Sequence, residues 1–104
     1  MTVRRTVRAT PEFFDDLDRQ LSRERGPNGE PSTNDFQTLD LIRIVEQFAI
    51  GFDALPELIP GRPGYRVLIG TGYVVAGFLV VGQRASDGAV ELIELDLDVD
   101  LDWA

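Results

Sequence analysis

Cysteine, histidine and lysine are all absent from this chain of 104 residues. Without cysteine there is no disulfide framework, no thiolate zinc site and no thiol nucleophile. That fits a reducing compartment, and a cytoplasmic location is expected. Without histidine the chain lacks the commonest proton carrier near neutral pH and the commonest transition-metal ligand. Without lysine there is no amine base and no Schiff base. All ten basic residues are arginine, for which codon bias in a GC-rich genome is the simplest account. Long apolar runs are missing as well. The strongest, residues 73–82, has the length of a strand, and nothing approaches the about 18 residues of a membrane span. The opening MTVRRTVRATPEFF lacks the apolar core of a signal peptide. No membrane association is expected.

What is present describes one ordinary domain, residues 1–104. The apolar fraction is 43%, typical of globular proteins, and a chain of this length can bury a core without staples. Net charge is −8 and unevenly placed. Residues 89–104 carry Glu91, Glu94, Asp96, Asp98, Asp100 and Asp102 with no basic residue. The first eight residues carry Arg4, Arg5 and Arg8 with no acid. Nucleic-acid binding needs a positive footprint, which this balance opposes. A local patch from Arg4, Arg5, Arg8, Arg62, Arg66 and Arg84 stays open.

Periodicity gives the element order. Val3, Arg5, Val7 and Ala9 alternate with polar residues, as in a strand, and Arg5 on the inward phase is the exception. Thr10-Pro11-Glu12 is a helix start. Phe14, Leu17 and Leu21 form the apolar face of that helix, with Phe13 beside them. Gly26-Pro27 is its predicted end, with Arg19, Arg23 and Arg25 in the last turns. GPNGEPSTN, residues 26–34, reads as a flexible loop. A second helix of about 20 residues starts near Ser32 to Asp35, with Asn34 as the expected cap and Gln37 completing a capping box, and ends at Pro56. Leu41, Val45, Phe48, Phe52 and Leu55 mark its buried stripe, widened by Ile42 and Ala49. Gly51 inside it permits close packing or a bend.

After PELIPGRPG the pattern turns to strands. Residues 65–69 form the first, Gly70-Thr71-Gly72 a tight turn, and residues 73–81 a central strand apolar on both faces. Ser86-Asp87-Gly88 signals a hairpin. In residues 89–103 the apolar phase switches from Val90 and Leu92 to Ile93, Leu95, Leu97, Val99, Leu101 and Trp103. A bulge near Leu92-Ile93, or departure from the sheet there, accounts for the switch. The expected fold class is α+β, in the order β-α-α-β-β-β, with a helical hairpin packed on one face of a mostly antiparallel four-stranded sheet.

This order resembles the RelE/ParE superfamily of type II toxin–antitoxin toxins, over nearly the whole chain. Its local basis is YRVLIG (residues 65–70) followed by YVVAGF (residues 73–78), together with the first strand running into Thr10-Pro11 and Phe13-Phe14. The resemblance implies a toxin wrapped by a cognate antitoxin. The chain departs from the ribonuclease members at two places. Val74 stands where an arginine commonly follows the tyrosine. Leu95-Asp96-Leu97-Asp98-Val99-Asp100 stands where cationic or phenolic residues are usual, and its carboxylates would repel a scissile phosphate. The resemblance therefore points to the branch that acts by binding a cellular target such as gyrase rather than by RNA cleavage. The alternative is a non-enzymatic acidic interaction module, homodimeric or not, without toxicity.

Catalytic residues are unassigned, and no cofactor and no metal are expected. Carboxylates at i and i+2 of a strand stand about 6.6–7 Å apart, too far to share one calcium ion well. The ladder Asp96 to Asp102 reads as a solvated, aggregation-resistant face or a docking surface for a basic partner. Arg62, Arg66 and Arg84 are the candidate basic cluster, set against pairing with acids or facing water. Tyr73 and Trp103 are the aromatic candidates, Trp103 as an interface anchor. The expected partner is a protein, either an antitoxin or a second copy.

Overall fold

The computed structural model describes residues 4–27 and 29–98. Trp103, Asp100 and Asp102 lie outside the described residues, as does the start of the first predicted strand. The fold is the expected α+β, in the expected order. Strands β1 (Val7–Ala9), β2 (Tyr65–Gly70), β3 (Gly77–Arg84) and β4 (Val90–Asp98) form one sheet in the order β1-β4-β3-β2. β1 runs parallel to β4, and the other two pairings are antiparallel. Helix α1 (Pro11–Gln20) and a long helix α2, residues 33–54, pack on one face.

Helix α1 starts where Thr10 accepts from the Phe13 N–H and donates its hydroxyl to the Leu92 carbonyl, which ties the cap to β4. Phe13, Leu17 and Leu21 form its buried stripe. Phe14, expected on that face, is instead 38% exposed and meets Phe13 edge-on. The helix stops at Gln20, six residues before Gly26, because Leu21 is already extended. Beyond Leu21 come Ser22, Arg23, Glu24 and Arg25, none of which could repay further helix by burial. Arg23 and Arg25 are thus not helical. Ser22 instead accepts from the Thr33 N–H, and Arg25 forms a bidentate pair with Asp35.

Helix α2 starts within the expected range, and Asp35 shows why its cap is two residues before the expected Asn34. Ser32 is the cap, and Asp35, not Gln37, completes the capping box. The first full turns of α2, Phe36–Leu41, are π-helical. Phe36, Asp40, Ile44, Phe48 and Phe52 are all buried, a strict spacing of four. An α-helix with 3.6 residues per turn would carry that row gradually round the axis. A wider π turn carries it back. Ile42, expected to widen the stripe, is 62% exposed. Gly51 marks a bend into the 3-10 turn Phe52–Ala54 and makes no close contact.

The core joins Phe13, Leu17, Phe36, Ile44, Phe48 and Phe52 from the helices to Val80, Val90, Leu92 and Leu95 from the sheet. A Cβ on Gly82 would come within 2.6 Å of the Phe48 ring, so the bare glycine is what lets this ring settle on β3. The sequence phase break is a bulge. Val81 pairs with Glu94 but Gly82 with Leu92, leaving Ile93 extra. The strand stays in the sheet, and Leu95 and Leu97 turn onto the core side. β3 starts at Gly77, four residues later than predicted, because residues 73–76 are held elsewhere.

Candidate interaction surface

The sheet face away from the helices is open, and its chemistry follows from register. Leu68 and Val80 pair across β2 and β3 and pack on the core. Their alternating neighbours Val67, Ile69, Leu79 and Val81 therefore face the other way. The bulge gives β4 the matching phase. Leu79 stands opposite Asp96, Val81 opposite Glu94, and Gly77 opposite Asp98. Aliphatic residues on two strands thus border a row of carboxylates on the third, with directly opposed Cβ atoms about 4.5–5.5 Å apart.

Val67 and Val81 are buried, whereas Ile69 is 70% exposed and Leu79 half-buried. The open part is therefore the end of the face nearest the β2–β3 connection. There Ile69, Leu79, Asp96 and Asp98, with the bare Gly70 and Gly77, line a shallow depression of about 270 Å³. Glu94 and Asp96 also border a second depression against α1, where Glu12 adds another acid and Arg19, paired with Asp16, a cation. Among the described residues, Glu94, Asp96 and Asp98 form no ion pair, and their side chains make no hydrogen bond. No group of three or more acids among the described residues is placed to hold a metal ion.

Helix α1 fixes this acidic strand. Beyond Leu92, β4 outruns its neighbour β1, and its outer edge would be bare. Two α1 side chains take the place of a strand. Asp16 accepts from the Leu95 N–H at 3.0 Å. Gln20 donates to the Leu95 carbonyl at 2.8 Å and accepts from the Leu97 N–H at 2.6 Å. The edge is thereby closed to a further strand, and the carboxylates are held on a rigid element.

The connection below the open end is anchored by Asp40, which sequence reasoning missed. Its carboxylate is buried in the π turn and accepts from the Tyr73 N–H at 2.7 Å and the Val74 N–H at 3.1 Å. A side chain at Gly72 would collide with it. Tyr73 itself is exposed, with the Arg43 guanidinium 4.4 Å above its ring. Arg43 and Asp40 also border a pocket of about 160 Å³ under Gly70 and Thr71. The sequence signal was available, since Asp40 falls on the four-residue row with Phe36 and Ile44.

The structure does not assemble the three candidate arginines into a cationic site. Arg66 is half-buried as a latch. It donates to the carbonyls of Pro63, Asp53 and Leu55, approaches Glu57 at 3.9 Å and lies over Phe52. Arg5 covers the same ring and pairs with Asp53 and the Gly88 carbonyl, which resolves its inward phase. Arg62 and Arg84 lie near each other along the backbone, since Gly64 accepts from the Arg84 N–H and Arg62 from the Tyr65 N–H. Their guanidiniums make no ion pair among the described residues. Arg4 pairs with Glu46, and Arg8 with Asp87 and, at 3.6 Å, Glu91. These contacts hold the Glu46 and Asp87 carboxyls below their usual range, chiefly through the arginine hydrogen bonds.

No helix among the described residues is long and apolar enough to cross a membrane. Comparison with protein-family models, with curated proteins and with solved structures found no match.

Proposed function

We propose that this protein acts by binding another protein through the open end of its sheet, not by catalysis. The observation that carries this reading is the depression at Ile69 and Leu79, apolar on one side and walled by unpaired carboxylates on the other. Rigid elements hold both walls, as a recognition surface requires. A phosphoryl-transfer site would need cations converging on one point. Arg66, on the edge strand β2, is spent on the 53–63 connection. The sequence also supplies no histidine, lysine or cysteine for proton transfer or attack.

The element order and the YRVLIG…YVVAGF segment favour a first context, a toxin of the RelE/ParE kind that works by binding a cellular target and is held by an antitoxin. The second context is an acidic interaction module with no toxicity, favoured by the carboxylate row on β4. Strong induction of the chain in a bacterium separates them. Growth arrest without messenger cleavage, relieved by Ile69→Glu, supports the toxin. Normal growth supports the module. Messenger cleavage that survives purification overturns the binding reading.

A further inference from the structure

Resting on that reading, we infer that the partner is a basic amphipathic helix, laid along β4 and β3 with its cations over Glu94, Asp96 and Asp98. The dimensions agree. Alternate residues of β4 place these carboxylates about 6.6–7 Å apart along the strand, and residues i and i+4 of an α-helix rise about 6 Å. Arginines or lysines at i, i+4 and i+8 would each meet one acid. Across the sheet, Leu79 lies one strand from the acid row and Ile69 two, so the strip is about 10 Å wide. One helix, about 10–12 Å across with side chains, covers it, and its apolar stripe falls on Ile69 and Leu79. The bare Gly77 at the end of the strip, beside Asp98, leaves room for one larger apolar side chain.

The same observations count against other occupants. Nucleic acid would set phosphates against the carboxylates. A second copy would bring another net charge of −8. Arg4, Arg5, Arg8, Arg19, Arg25 and Arg66 of such a copy are already paired with its own acids. An added strand would find the outer edge of β4 taken by Asp16 and Gln20.

The test uses the full chain and three synthetic 16-residue helical peptides sharing one leucine stripe, with arginine, serine or glutamate on the flanking positions. Backbone amide shifts locate binding, and fluorescence anisotropy measures it. The arginine peptide is expected to bind and to shift Ile69, Leu79, Glu94 and Asp96. Reversing Glu94, Asp96 and Asp98 to lysine is expected to weaken it about tenfold or more, the sum of three modest surface pairs. Ile69→Ser, at an exposed position that the fold tolerates, is expected to weaken all binding at this face. Binding of the serine or glutamate peptide at the same residues, at equal or higher affinity, overturns the basic partner while leaving the docking face intact. Shifts absent with all three peptides overturn the face itself and the proposed function with it. A dimer in sedimentation that Ile69→Ser dissociates assigns the face to a second copy and overturns the inference.

Discussion

Asp40 offers the sharpest test of how this fold is held together. Its carboxylate is 2% exposed, pairs with no cation among the described residues, and accepts the Tyr73 and Val74 N–H groups. Those two bonds attach the π turn of α2 to the connection that sets where β3 begins. Asp40→Asn preserves shape and changes only hydrogen-bond capacity. One oxygen still accepts one N–H, and the new NH₂ faces the other N–H donor to donor. One charge-assisted bond is lost and one backbone donor is left unmet, a cost of about 1.5–3 kcal/mol. Asp40→Ala orphans both donors and leaves a small void, and about 3–4 kcal/mol is expected. In a domain near 100 residues, 1 kcal/mol moves the midpoint by roughly 4–8 °C. The asparagine variant should therefore melt about 6–24 °C below the parent. Urea titration gives the free energies, and hydrogen exchange should show the Tyr73 and Val74 amides exchanging faster in both variants. An asparagine variant within about 0.5 kcal/mol of the parent, with both amides still protected, would refute the clamp.

Gly82→Ala should destabilise by about 1–3 kcal/mol through overpacking against Phe48, measured by urea titration, and a companion Phe48→Leu should recover part of the loss. Arg66→Met should cost about 1.5–3 kcal/mol, since three carbonyls lose a cationic donor, and limited proteolysis should then cut first within residues 56–64. Acid unfolding should report Asp35, whose carboxyl sits well below the carboxylate range because of Arg25 and then the Ser32 N–H. A depressed folded pKa stabilises above the unfolded value near 4 and is lost as pH falls below it. Asp35→Asn should thus lower stability at pH 7 yet flatten its decline from pH 5 downward, read from urea midpoints across pH.

Element order and the bulge were legible because both rest on period. Val90 and Leu92 on one phase, then Leu95 and Leu97 on the other, admit few explanations, and an extra Ile93 is the simplest. The boundaries were not legible, and each miss has its cause. Gly26-Pro27 looked like the helix stop, but a helix ends where burial ends, at Leu21. Asn34 and Ser32 are both good caps, and the choice went to Ser32 because its box partner Asp35 also reaches Arg25. Tyr73 and Val74 have strand propensity, yet their N–H groups were claimed by Asp40, thirty-three residues away. The role of Arg66 was open for a related reason. A guanidinium with five donors can close a loop on backbone carbonyls as well as bind a phosphate, and Arg66 does the former.

The distribution of charge links this fold to its function. Eighteen acids face ten arginines, and six of those arginines are consumed within the fold. They hold the first residues to α2, the long loop to its cap and the 53–63 connection to β2. None pairs with Glu94, Asp96 or Asp98. The nearest ion pair on β4 is Arg8 with Glu91, before the bulge. The bulge is therefore the dividing point. Before it β4 lies between β1 and β3 and its acid is paired. After it the strand passes beyond β1, its edge is closed by Asp16 and Gln20, and its acids stand beside the half-buried Leu79, with the exposed Ile69 one strand further. Had Ile93 not been extra, Asp96 would point into the core and Leu95 outward, so the same residue that preserves the core also sets the acids on the open face. Charges left unpaired on a rigid strand, two strands from an exposed isoleucine on the same face, favour a partner that supplies both cations and apolar contact.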